Sequence, residues 1–258
     1  MPQLKVRSKM LGYEAQPSDF NTNELTVVFI HGSGGDRENW RGQLDQMDDT
    51  ATMLALELPG HGTSDPPGET TVDVYAQWVV DFVETLRLIK VVLVGCSLGS
   101  AVTQWIALLD KPWLKGIGLA GAGARLKVHP AFLEGIYQDR AKAMQAFADF
   151  AVSSSADETF RNRLAEEFMA CPPELLHGDL TACNNFDVME KIKEINIPTC
   201  ILVGEDDKLT PVKYSQFLHD NIPSSTLNII SGAGHVVMME KPEEFNRLLR
   251  DFLKNLAC

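Results

Sequence analysis

The chain has no long hydrophobic run. None approaches the ~20 apolar residues needed to cross a bilayer, and no apolar segment follows the basic residues Lys5, Arg7 and Lys9. Neither a signal peptide nor a membrane-spanning segment is expected. Basic residues are in deficit, 23 against 35 acidic, for a net charge of −12. That sign repels phosphate backbones and anionic lipid, so no nucleic acid and no membrane is expected as a partner. Cysteine is sparse and unpaired. The five (Cys96, Cys171, Cys183, Cys200 and Cys258) are an odd number without CxxC spacing. They exclude a disulfide frame or a zinc site and read as buried thiols in a reducing compartment, which makes the cytoplasm the expected location. His129, His177 and His219 have no metal-ligand spacing, and no repeat or low-complexity tract is visible.

What is present is a regular alternation. At 258 residues the chain is long enough for one domain that buries roughly three quarters of its unfolded surface. Apolar runs rich in β-branched residues recur at 25–32, 51–60, 90–95, 114–121, 199–204 and 225–231. Most are continuous, as in strands covered on both faces. Helical spacing fills the intervals at 72–89 and 97–109. In the last segment Phe245, Leu248, Leu249, Phe252, Leu253 and Leu256 form one stripe behind Pro242. The expected fold class is α/β, with a doubly wound, mostly parallel sheet. From Ala122 to Asn185 no strand is evident, only helical segments such as 131–152 and 158–170. That region is expected to be a helical cap, inserted over one edge of the sheet and closing a pocket. The expected division is a core of 1–121 and 186–258 with a cap of 122–185.

At "VVLVGCSLGSAVTQW" a buried strand runs into Gly95-Cys96-Ser97-Leu98-Gly99 and a helix begins. A serine on such a turn projects its hydroxyl above the sheet in a strained conformation. The residues two before and two after must then be small. A serine hydroxyl is a poor nucleophile until a base accepts its proton, and the base needs an orienting acid. "CILVGEDDKLTP" offers Asp206 and Asp207 after one later strand, and "IISGAGHVVMMEKP" offers His235 after the last.

In that order the chain resembles the α/β-hydrolase superfamily, in particular its carboxylesterase-like members with a serine nucleophile. "FIHGSGG", "LPGHGTSD", "GCSLGS", "GEDDKLTP" and "GAGHVVMMEKPEEFN" carry the likeness from about Leu25 to the C-terminus. The resemblance implies an α/β-hydrolase fold in which Ser97 is the nucleophile and His235 the general base. It implies Asp207 as the acid, with Asp206 the rival, because Asp207 keeps the Gly-x-x-Asp spacing from Gly204. The backbone N–H groups of Leu98, which follows the nucleophile, and of Ser33 would form the oxyanion hole. Gly34 and Gly35 would let that loop approach a ligand, while His31 and His61 would support loops.

The expected activity is hydrolysis of carboxylic esters of small or medium apolar acids through an acyl-enzyme. It needs a small-molecule substrate and no cofactor or metal. Serine in place of aspartate at the nucleophile position argues against dehalogenase and epoxide hydrolase chemistry. A carbon–carbon hydrolase, a cofactor-free haloperoxidase and a lactonase share the constellation, and a ligand-binding receptor shares the fold. Gly35 stands where the carbon–carbon group usually has proline. The cap aromatics Phe147, Phe150, Phe160 and Phe168 are expected mostly to pack the cap, with a few lining an apolar pocket. The oligomeric state is not encoded in any of these motifs.

Overall fold

The computed structural model describes residues 2–47 and 50–256. Eight strands form one sheet: β1 (Gln3–Val6), β2 (Lys9–Gln16), β3 (Leu25–Ile30), β4 (Thr52–Leu56), β5 (Lys90–Cys96), β6 (Leu114–Ala120), β7 (Thr199–Gly204) and β8 (Ser225–Ile230). Their spatial order is β1-β2-β4-β3-β5-β6-β7-β8. Pairings from β4 to β8 are parallel, whereas β1–β2 and β2–β4 are antiparallel. All six apolar runs found in the sequence are strands. The antiparallel pair at the N-terminus carries no such run, because it lies at the sheet edge and is only partly buried.

The helices are α1 (Arg41–Leu44), α2 (Val72–Leu86), α3 (Leu98–Ala107), α4 (Pro130–Gln138), α5 (Arg140–Ala151), α6 (Glu158–Ala170), α7 (Pro173–Asn185), α8 (Val212–Asn221), α9 (Val237–Glu240) and α10 (Pro242–Leu256). Alternate residues of each central strand feed two cores. Val28, Ile30, Leu93, Ile117 and Ile201 pack with Tyr75, Val79 and Phe82 of α2 and Val102 of α3. Val27, Phe29, Val92, Val94 and Leu202 pack on the other face with Trp40, Phe245, Leu249 and Leu253. The stripe read on the last segment is therefore the face that α10 buries.

Four helices, α4 to α7, stand between β6 and β7 with their own apolar cluster around Met144, Leu164, Phe168 and Leu176. Residues of α5, α6 and α7 line cavities together with Ser97 and His235, at the end of the sheet where the parallel strands finish. The long helical segment at 131–152 is in fact two helices. Asp139 breaks it with φ −150° and ψ 76°, and its carboxylate caps the second by accepting from the Lys142 N–H. Among the described residues, no helix is long and apolar enough to cross a membrane.

Candidate active site

Ser97 sits between β5 and α3 with φ 53° and ψ −115°, a backbone conformation that side-chain-bearing residues rarely adopt. The flanking glycines have a steric cause. A Cβ at Gly95 would lie 2.0 Å from the Gly99 carbonyl oxygen, and one at Gly99 would lie 2.2 Å from that of Ile30. The turn therefore closes only when both positions lack side chains.

Asp207 and His235 meet from two other strand ends, the loops after β7 and β8. Asp207 Oδ2 accepts from His235 Nδ1 at 2.9 Å and from Thr210 Oγ1 at 2.8 Å. Its Oδ1 accepts from the Leu209 and Thr210 amides at 2.9 and 2.8 Å. The carboxylate is locked on four sides in a residue only 4% exposed. A bond from Nδ1 leaves Nε2 of the ring as the free edge. Asp206 turns elsewhere, its Oδ2 accepting from Ser153 Oγ at 2.5 Å. Ser97 and His235 line the same two cavities. The hydroxyl makes no direct hydrogen bond to the ring, a contact that commonly closes only once substrate is seated.

The loop after β3 lies beside the serine turn, and a Cβ at Gly32 would be 3.3 Å from Ser97 Cβ. Leu98 is the first residue of α3, so its amide has no acceptor within the helix. The Ser33 side chain lies by Cys183, with Oγ and Sγ 3.6 Å apart. Gly34 needs its left-handed φ of 68°. A Cβ at Gly35 would stand 2.0 Å from Asn39 Oδ1, so a side chain there would displace Asn39. Both glycines line the smaller cavity beside Ser97.

Several residues here went unnoticed in the sequence. Asp179 of α7 is fully buried and joins three segments: its carboxylate accepts from the Gly34 amide at 2.8 Å, from Tyr75 Oη at 2.6 Å and from His61 Nε2 at 2.9 Å. Burial opposes charge on His61, but the Asp179 carboxylate and the Pro59 and Leu58 carbonyls together outweigh it and raise the imidazole pKa. The signal for Asp179 was present, since it stands on the apolar stripe of Leu176, Leu180 and Cys183. Glu240 clamps the His235 loop, accepting from the Gly234 and Ser153 amides at 2.8 Å each. Its own pKa is raised by burial, against the lowering effect of those two amides. Gly121, at the end of β6, has φ 51°, and a Cβ there would fall 2.9 Å from His235 Nδ1.

His31 is fully buried with both ring nitrogens engaged: Nδ1 donates to the Gly32 carbonyl at 2.8 Å and Nε2 accepts from the Leu58 amide at 3.1 Å. Only the neutral ring satisfies both bonds. Desolvation, with the nearby His61 adding to it, lowers the His31 pKa to about 3. Cys96, Cys171, Cys183 and Cys200 are free and buried. Burial pushes the thiols of Cys171, Cys183 and Cys200 up to about 12, which disfavours the nucleophilic thiolate. Cys258 lies outside the described residues. Among the described residues, no group of His, Cys, Asp or Glu is arranged to hold a metal ion.

A serine on a left-handed strand–helix turn, sharing its cavities with an imidazole held by a buried carboxylate at the ends of parallel strands, fits a hydrolytic enzyme. The chain belongs to the alpha/beta hydrolase fold family, whose model matches residues 26–242. It is similar to the solved structure of a thermophilic esterase, 35% identical with a TM-score of 0.87 over 99% of this chain and 98% of that one. It is 24% identical to 3-oxoadipate enol-lactonase 1 of Acinetobacter baylyi, over 91% of this chain and 90% of the relative. It is also 27% identical to 2-hydroxy-6-oxononadienedioate/2-hydroxy-6-oxononatrienedioate hydrolase 2 of Pseudomonas putida, over 97% and 95%.

Proposed function

We propose that the protein is a serine hydrolase that cleaves carboxylic esters of small or medium apolar acids through an acyl-enzyme. Ser97 Oγ attacks the acyl carbon as His235 Nε2 takes its proton, and Asp207 stabilises the imidazolium through Nδ1. The amides of Ser33 and Leu98 receive the oxyanion, each typically contributing ~3 kcal/mol. Collapse breaks the carbon–oxygen bond while His235 returns the proton to the departing alcohol. Water, deprotonated by the same ring, then releases the acid and regenerates Ser97. Residues 122–185 act as the cap that covers these steps. The buried thiols fit a reducing compartment such as the cytoplasm.

The observation that carries this reading is the fourfold lock on Asp207, which aims the His235 ring into the cavity that Ser97 also lines. The esterase and the enol-lactonase among the similar proteins support an acyl–oxygen bond as the target, a lactone being a cyclic ester. A panel of p-nitrophenyl butyrate, lactones, thioesters and β-diketones tests it. The butyrate ester is expected to turn over, and Ser97→Ala to remove about six orders of magnitude of kcat. A fluorophosphonate probe is expected to label Ser97. Turnover of the β-diketone alone, or an ester rate that survives Ser97→Ala within tenfold, would overturn the assignment.

A further inference from the structure

Two cavities meet at Ser97 and His235, and they differ in size and in charge. The smaller, about 40 Å³, is closed in by residues such as Phe147, Phe168 and Met239 and has space for a substituent about the size of a methyl or ethyl group. It shares Gly34, Gly35, Asn39 and Glu167 with an outer concavity whose charged lining includes Asp36, Glu38 and Glu167. The larger, about 270 Å³, runs past Leu126, Val128, Phe132, Phe150 and Leu180 to Lys127, His129 and Lys208. Beyond it, a second hollow shares Lys127 and Tyr214 and adds Arg125 and Lys213.

The charge on that second side runs against the rest of the molecule. Acidic residues outnumber basic ones 35 to 23 in the chain, yet neither hollow on this side is lined by a carboxylate, while four lysine or arginine residues are. Arg125 alone of the four has a carboxylate within ion-pair distance among the described residues, Asp187 at 3.8 Å, with both side chains half exposed. Lys127 Nζ donates to the Asn184 carbonyl at 2.7 Å, which steadies the ammonium and leaves it two further protons to donate. Lys213 lies over the Tyr214 ring, 5.7 Å from its centroid. The carboxylates of the outer concavity would repel an anion and the lysines of the other side would attract one, and apolar side chains line the cavity between those lysines and the serine.

We propose, building on the ester-hydrolase reading and adding a charged end to its apolar acyl chain, that the preferred substrate is an ester with a small alcohol group on one side of the scissile bond. On the other side it carries an apolar chain ending in an anion, held at the rim by Lys127 and Lys208. The small group lodges beside Phe168 and Met239. A carboxylate and a phosphate share the required chemistry.

The test compares monomethyl esters of adipic, suberic and sebacic acids with their neutral dimethyl esters and with a methyl ester bearing a terminal phosphonate. The wild-type protein, Lys127→Gln, Lys208→Gln, the double variant and a distant control, Lys115→Gln, are each assayed. At low salt the best anionic ester is expected to exceed its neutral partner about tenfold in kcat/KM, as two partly exposed charge pairs allow. The gain is expected mostly in KM. The ratio falls toward one in the double variant and in 0.5 M salt, where the Debye length shrinks to about 4 Å, and persists in Lys115→Gln. The faster of the carboxylate and phosphonate arms identifies the head group. If p-nitrophenyl butyrate is turned over through Ser97 but anionic esters show no preference, or the preference survives the double variant, this inference is overturned while the esterase reading stands. If no ester is hydrolysed at all, the underlying reading has failed instead.

Discussion

At the scale of single residues, neighbours with the same chemistry have different fates. Asp206 and Asp207 are adjacent acids, yet one bonds Ser153 and the other holds His235. Asp207→Asn should lower kcat by about four orders of magnitude, since an amide favours the wrong imidazole tautomer. Asp206→Asn should stay within tenfold, and steady-state kinetics of the two variants decide the assignment. Gly121 supplies a second prediction. A methyl group there meets the imidazole and also demands a left-handed φ, so Gly121→Ala should cost about 1–2 kcal/mol of stability. A ring displaced by an ångström should lose about a hundredfold in kcat. Denaturant melts and kcat measured on the same preparation separate the two effects.

At the scale of elements, the site is held by ties between segments far apart in sequence. Asp179 fastens α7 to the loop after β3 through Gly34 and to α2 through Tyr75. Asp179→Asn keeps the shape but removes the charge that His61 and Tyr75 bond to, and is expected to cost about 2–3 kcal/mol by urea melting. Its kcat should fall as well, because the released loop carries the Ser33 amide, whereas the KM of a small ester should change little. Glu240 makes a comparable tie from α9 to the His235 loop and to Ser153 just beyond α5. The strands, by contrast, were plain in the sequence because each central one is buried on both faces and so reads as an unbroken apolar run. The edge pair β1–β2 was not, because half-solvated strands carry a diluted pattern. The break at Asp139 was also hidden, since helical spacing continues on both sides of it.

At the scale of the whole molecule, His31 links stability to acid. Its folded pKa of about 3 lies below the ordinary value of 6.5, so below about pH 6.5 the unfolded chain binds a proton that the folded chain refuses. Stability is then lost as pH falls, by about 1.4 kcal/mol per unit down toward pH 3. His61 has the opposite shift. Its contribution is complete below its unfolded pKa and is lost only as pH rises through the raised folded value, so it adds no slope on the acid side. Urea midpoints between pH 7 and pH 5 should fall more steeply for the native protein than for His31→Gln. Taking the difference cancels buried carboxyls such as Glu167 and Glu240, whose raised pKa values act the other way. Equal slopes would mean that the ring at position 31 is not a buried neutral base.

From sequence alone, the order of strands and helices, the glycine-bounded serine, the histidine after the last strand and the acidic pair were all legible. Each is a local pattern set by backbone sterics or by the burial of one stretch of chain. The tertiary structure alone decided which acid faces the imidazole, that an aspartate of α7 anchors the loop beside the serine, and that lysines line one cavity at the site while carboxylates line the hollow next to the other. Those outcomes depend on the directions in which side chains from distant segments point once the sheet brings the segments together. No run of consecutive residues contains that information.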